Sequence, residues 1–459
     1  MEPISGKVTT AKHRANMAVF IFAAIGGVLY GYDLGIISGA LLFIDRDIPM
    51  TMNQTSWLVA AVFGGGSIAT LASGFLSDWL GRRLMILLSA FIFIISVFIV
   101  VFAHSYDMLL FGRLVQGVGV GVITIVVPLY LTESMPTALR GRGVTAFQLL
   151  LTLGIFLASL VGLFFTSSGD WRGMFLTALV PGVIMFIGCF FLSDSPRWLA
   201  LKGRFDQAYK ILKKTRCTDD ARRELIQMRN AIESGRTGFD SARINLWQRR
   251  YMVPISLVFA IAILQQLTGI NSLLQLSSVI LKNAGLKSNI VDMLGTNAIM
   301  GLNFVMTIVA ISLVDKLERR TLMSFGTGGI VLSLIYCACV FHFMPESEQK
   351  GFMLLSGVLG FVFFYAVGPG ALVWAVLSEL LPSKVRSRGL AIALFLNSLT
   401  SSIFASIFLG MANHIGYAGV FCVSGFFTLL YFVVCFWLIP KTKGKSLEDI
   451  EEQFAVPAH

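Results

Sequence analysis

Apolar residues in this chain come in runs of about twenty, not in alternation with polar ones, and twelve such runs can be marked along it. Six lie at about 17–42, 56–77, 84–104, 108–132, 144–166 and 172–192. Six more lie at about 253–281, 290–314, 321–343, 352–378, 389–412 and 417–439. A helix needs roughly 20 apolar residues to cross the hydrocarbon core of a bilayer. The pattern therefore predicts an all-α membrane protein with twelve transmembrane helices. Its expected organisation is a six-helix half over 1–193, a linker over 194–252, a second six-helix half over 253–440 and a tail over 441–459.

Composition agrees: 56% of the 459 residues are hydrophobic and 13% charged, against about 25% charged in a soluble domain. The net charge of +11 is explained by where it falls. Of the 36 Lys and Arg, Arg46, Arg172, Lys282, Lys287 and Lys350 lie on one side of the spans and Arg113 lies inside; the other 30 share the side of both termini. Basic loops stay in the cytoplasm, so both ends are expected to be cytosolic. The charge is a topology signal and implies no nucleic-acid partner. Lys7, Lys12, His13 and Arg14 lead into a segment too long for a signal peptide, which is expected to remain as an anchor. The six cysteines show no metal-ligand spacing and read as small buried hydrophobes. No metal or cofactor is expected.

The linker holds 14 Lys/Arg against 7 Asp/Glu. Phe205, Ala208, Tyr209 and Leu212, then Leu225, Met228 and Ile232, recur at helical spacing, which predicts short amphipathic helices against the cytosolic face.

Asp33 sits deep in the first span, within GYDLGIISGA. A carboxylate at mid-membrane costs roughly 2.5–3.5 kcal/mol on insertion scales, so it should face a protein interior or a water-filled cavity. At about 1.5 Å per residue, Asp33 lies some 13 Å below the outer end of its helix and Arg113 some 8 Å below the outer end of the fourth, a gap that an arginine side chain closes. An acid kept only for packing is the plainer alternative.

Two loops repeat at half-chain distance. Asp78, Arg82 and Arg83 after the second span resemble Asp315, Arg319 and Arg320 after the eighth, 237 residues on. Glu133, Arg140 and Arg142 after the fourth resemble Glu379, Arg386 and Arg388 after the tenth, with the glutamates 246 apart. Two parallel six-helix repeats with a site between them near the midplane form a transporter plan suited to alternating access. The repeated charges are expected to act as a cytosolic latch, because an ion pair at the water boundary is worth only about 1 kcal/mol and can let go. Turn caps and topology signals are the alternative.

With GFLSDWLGRR, Gly112-Arg113, PLYLTESMPTALRGR, SPRWL at 195–199, QQLTGIN at 265–271, GPGALVW at 368–374 and SELLP at 378–382 in this order, the chain resembles the sugar porters of the major facilitator superfamily over nearly its whole length. The resemblance is to bacterial proton-coupled hexose and pentose symporters. It implies substrate contacts at Gln148, Gln265, Gln266, Asn271, Asn303, Trp374 and Asn397. The residue types agree, since amides both donate and accept hydrogen bonds, as a polyol requires, and an indole covers a pyranose ring. For any single amide, helix–helix contact is an equal explanation. In a straight seventh helix Gln265 and Gln266 would not share a face with Asn271, so a break near Gly269 is expected.

Some positions depart from the family. Gln275-Leu276 stand in place of a usual tyrosine pair, and Ala371 and Val373 replace two prolines, giving a tenth helix expected to flex less. Glu318, Ser193-Asp194 and Lys441 also differ from the family's cytosolic motifs.

Symporters of the family carry Asp at the first-helix position where facilitators commonly carry Asn. The expected mechanism pairs ionised Asp33 with Arg113 and breaks the pair on protonation, since arginine favours the charged acid and burial the neutral one. The expected partners are a neutral hexose, pentose or inositol, a proton and the lipid bilayer, with the chain working as a monomer. A facilitator with a structural Asp33–Arg113 pair and a non-transporting sugar sensor are the alternatives. The five histidines assemble no catalytic constellation, so no enzyme is expected.

Overall fold

The computed structural model describes residues 10–237, 249–286, 288–314, 316–382 and 385–440. These residues form helices joined by short turns. The first half contains α1 (Thr10–Asp47), α2 (Met52–Leu80), α3 (Arg82–Val101), α4 (Tyr106–Ser134) and α5 (Thr137–Phe164). Its sixth span is made of α6 (Trp171–Thr177) and α7 (Leu179–Cys189). Local chemistry sets the starts. Thr51 and Gln54 form a reciprocal capping box on α2, and Ser105 caps α4 through the amide of Met108.

The linker contributes α8 (Pro196–Leu201), α9 (Phe205–Thr215) and α10 (Thr218–Thr237). Their apolar faces meet: Phe205, Leu225, Met228 and Ile232 pack around Trp198, Leu199 and Ala208. The remainder of the linker up to 248 lies outside the described residues.

The second half contains α11 (Arg249–Leu267), α12 (Ile270–Asn283), α13 (Asn289–Val314), α14 (Arg319–Phe343), α15 (Glu348–Val367), α16 (Pro369–Leu380) and α17 (Arg386–Val433). The seventh span breaks between α11 and α12 at Gly269, whose φ of +86° strongly favours glycine. The tenth breaks between α15 and α16 at Gly368–Pro369, so the loss of two prolines leaves that interruption in place. The eleventh and twelfth spans run on as α17, divided at Gly416 (φ 72°, ψ 164°). For that reason the described residues hold eleven continuous stretches long and apolar enough to cross a membrane, the last of them, Gly389–Leu438, covering two of the twelve runs.

Outward faces carry the apolar residues that a soluble protein would bury. On α3, Leu84, Leu88, Phe91, Ile95 and Phe98 form an exposed stripe at alternating steps of four and three. Such a stripe is at home against lipid. Inside, small residues bring helices close: a β-carbon at Gly31 would lie 1.8 Å from the carbonyl oxygen of Leu151, so α1 and α5 touch backbone to backbone.

Several hydrogen bonds join the two halves near one face. Ser278 donates to the Ser38 carbonyl, Ser159 Oγ donates to Asn297 Oδ1 (2.9 Å), Ser402 Oγ donates to the Ala60 carbonyl (3.2 Å), and the Leu409 amide donates to Ser56 Oγ (2.9 Å). All of these lie toward the face opposite the basic loops.

Candidate functional site

Asp33 on α1 and Arg113 on α4 form an ion pair, with Arg113 Nη1 donating to Asp33 Oδ1 at 2.8 Å and both side chains fully buried. The same nitrogen donates to Gln116 Oε1 at 2.9 Å, one turn further along α4. The guanidinium lies over the ring of Phe175, 5.6 Å from its centroid. Asp33 Oδ2, Arg113 Nε and Nη2, and Gln116 Nε2 are buried without a hydrogen-bond partner. A buried charge pair this sparsely satisfied is costly, and breaking it by removing one member costs about 3–5 kcal/mol.

A second cluster is neutral. The break at Gly269 turns α12 so that Asn271 Nδ2 reaches Gln266 Oε1 (2.8 Å), which a straight helix would prevent. Gln266 Nε2 donates to Asn397 Oδ1 (3.0 Å), and Asn397 Nδ2 donates to Gln265 Oε1 (2.7 Å) and to the Ala262 carbonyl (2.9 Å). Gln265 Nε2 donates to the Tyr365 hydroxyl (2.9 Å), and Asn271 Nδ2 also donates to Ser401 Oγ (2.9 Å). Four amides from α11, α12 and α17 thus share one network without a charge. Asn303 on α13, buried, and Gln148 on α5 and Trp374 on α16, both half-buried, stand outside it.

The repeated charges pair within each half. Arg82 Nη2 lies 2.9 Å from both Asp78 Oδ1 and Glu133 Oε1, and Arg82 Nη1 donates to the Ser77 carbonyl. The corresponding Arg319 lies 3.4 Å from Glu379 and donates to the Val314 carbonyl at 2.7 Å. Arg83 and Arg320 instead hold helix-end carbonyls, at Cys189 and Phe190 and at Phe436. The expectation of a pair at the water boundary needs correction in the first half. Arg82 and Glu133 are each only 4% exposed, because Ser195 donates to Glu133 and Trp198 Nε1 donates to the Asp78 carbonyl, closing the linker over them. Beside this cover Asp194 is half-buried, and burial raises its pKa above the usual carboxylate range against the opposing pull of Arg83 and Arg204. Asp315 and the side chains of Arg140, Arg142, Arg386 and Arg388 lie outside the described residues.

The profile of the family described as "Sugar (and other) transporter" matches residues 19–454. The chain belongs to this family. It is 36% identical over 441 residues to the "Probable metabolite transport protein CsbC" of Bacillus subtilis, covering 96% of this chain and 95% of that one. It is 32% identical over 444 residues to the "Galactose-proton symporter" of Escherichia coli, covering 95% of each. A solved structure of the inward open conformation of the xylose transporter XylE from E. coli superposes with a TM-score of 0.81 at 23% identity, over 95% of this chain and 99% of that one, and shares the fold. This member of the sugar transporter family is an integral membrane protein with the major facilitator fold, and it is not an enzyme.

Several polar positions of this transporter escaped the sequence reading. Gln116 was findable, since it is polar in an apolar run and lies three residues from Arg113 on the same face. Tyr365 and Ser401 join the amide network across 100 and 130 residues of chain, which no local pattern reveals. Asp292 is a second fully buried acid, with neither carboxylate oxygen hydrogen-bonded. Asp292 lies in the first turn of α13, beside Met293, which packs against Gly39 and Gly162 of the other half. Gln275, where the family often has tyrosine, is buried with both amide atoms unpaired.

Proposed function

We propose that this chain is a secondary active transporter that imports a neutral monosaccharide together with a proton by alternating access. The observation that carries the reading is the fully buried Asp33–Arg113 pair in a membrane helix bundle, with an unpaired carboxylate oxygen. A buried acid held by one arginine is poised between two states: ionised, it ties α1 to α4; protonated, it releases them. The relative named a galactose-proton symporter supports both sugar and proton.

The uncharged network of Gln265, Gln266, Asn271 and Asn397 supplies donors and acceptors for hydroxyl groups. Sugar would exchange its own hydroxyls for the amide–amide bonds. Gln148, Asn303 and Trp374 complete the proposed site, with Trp374 as the apolar wall for the ring. The halves are hydrogen-bonded near the face opposite the basic loops, which supports a state closed on that side. In this state the charge clusters brace each half. The transporter acts as a monomer, in a bacterial plasma membrane, with both termini cytosolic.

A facilitator is the second reading, favoured by the completeness of the burial around Asp33 and Arg113, which suits a structural pair. Proteoliposomes with an imposed inward proton gradient separate the two. Symport predicts accumulation of labelled sugar above equilibrium; equal uptake with and without the gradient overturns it. Competition by glucose, galactose, xylose, arabinose and inositol in the same vesicles identifies the substrate.

A further inference from the structure

We infer that Gln116 is a positioning residue of the proton switch: it is the acceptor that keeps Arg113 in place while Asp33 is protonated. The inference rests on the reading of Asp33 as the site of protonation. Its basis is that one nitrogen, Arg113 Nη1, serves two acceptors, Asp33 Oδ1 at 2.8 Å and Gln116 Oε1 at 2.9 Å. The first bond joins α4 to α1, whereas the second runs from residue i to i+3 within α4. Protonating Asp33 removes the charge from the bond between helices and leaves the bond within the helix intact. The two helices can then separate without setting a buried guanidinium loose.

The surroundings make this second acceptor matter. Arg113 Nε and Nη2 have no partner, and the face of the guanidinium lies over Phe175. Without Gln116, a protonated Asp33 would leave Arg113 with only the weaker, neutral carboxyl oxygen as acceptor among the described side chains. Other titratable groups are few. Tyr30 of α1 is close enough to Asp33 to act on it electrostatically. The membrane part of α5, 145–164, has none. Arg172 on α6 is engaged by Asp47, and Cys189 lies at the basic end of α7. Lys282 on α12 and Asp292 on α13 lie toward the opposite face, and the charged residues of α9, such as Asp206 and Lys210, lie at the basic face.

The test reads the protonation of Asp33 itself, by infrared titration of its carboxyl band in the purified full-length protein, with Asp33→Asn used to assign the band. Gln116→Met keeps the shape but removes the acceptor, so protonation becomes harder and the midpoint should fall by about one pH unit, the worth of one hydrogen bond to a charged group. Gln116→Glu adds a competing carboxylate beside Asp33, and the midpoint should rise. A merely structural role would change yield or maximal rate and leave the midpoint where it was. Because the two shifts are opposite, either variant decides if the other fails to fold. Wild-type midpoints in the variants, shifts in the same direction, or an Asp33 that does not titrate overturn the inference. Failure of wild-type vesicles to accumulate sugar would instead overturn the symport reading, since the titration is made on resting protein.

Discussion

Arg82 and Glu133 meet at 2.9 Å with 4% of each side chain exposed, while their repeat partners Arg319 and Glu379 meet at 3.4 Å and are 18% and 23% exposed. The same pairing in both halves carries different weight, because among the described residues Ser195 and Trp198 of the linker close over the first. Glu133→Gln leaves a buried arginine short of its counter-charge and should cost about 3–5 kcal/mol, read as a marked loss of thermal stability in detergent. Glu379→Gln should cost no more than about 1 kcal/mol. Equal losses would contradict the assigned difference in burial.

Asp194 gives a prediction with a defined pH dependence. Its folded-state pKa lies above the ordinary value because burial outweighs Arg83 and Arg204. The folded protein therefore holds this proton more firmly than the unfolded chain, and stability from this group falls as pH rises through the folded pKa. Asp194→Asn should raise the melting temperature at pH 7, and the gain should vanish below about pH 4, where both states of the wild type are protonated. Melting curves across that range check the sign.

The closed seam predicts a cross-link. Ser159 and Asn297 are hydrogen-bonded across the halves at 2.9 Å. Replacing both with cysteine and oxidising should stop uptake almost completely, and reduction should restore it, because alternating access requires this seam to open. Unimpaired uptake by the oxidised protein would exclude that movement.

Contact between α1 and α5 leaves no room for a side chain at Gly31, where a β-carbon would fall 1.8 Å from the Leu151 carbonyl. Gly31→Leu should abolish correctly folded protein, and Gly31→Ala should lower it several-fold, measured by monodisperse elution of a tagged chain.

How much of this was legible before the structure depends on the range of each interaction. Gly269 could be read as a break because Gln266 and Asn271 had to share a face, and the break is present with φ +86°. The pairing of Asp33 with Arg113 followed from the expense of lone charges in lipid and from their similar depth. The cover on Glu133 was not legible, since it depends on Ser195 folding back across 62 residues. Tyr365 was hidden for the same reason, as an aromatic in an apolar run looks like any lipid-facing ring. Asp292 was passed over because an acid in a first helical turn ordinarily reads as a helix start at the water boundary, and only packing showed its complete burial.

For the amide network, Gln266→Leu and Asn271→Leu should each raise KM for sugar at least tenfold, because each leaves buried polar partners unpaired. Tyr365→Phe, which removes one acceptor of a single bond from Gln265, should raise it only a few-fold. Uptake kinetics in proteoliposomes distinguish these, and an unchanged KM in Gln266→Leu would remove the network from the sugar site.

The central claim is that Asp33 binds the proton that travels with the sugar. It is tested most directly by adding sugar to weakly buffered, de-energised vesicles and following external pH. The wild type should alkalinise the medium in proportion to sugar entry, and Asp33→Asn should exchange labelled for unlabelled sugar while moving no protons. Sugar entry without alkalinisation in the wild type, or alkalinisation that persists in Asp33→Asn, would contradict the account.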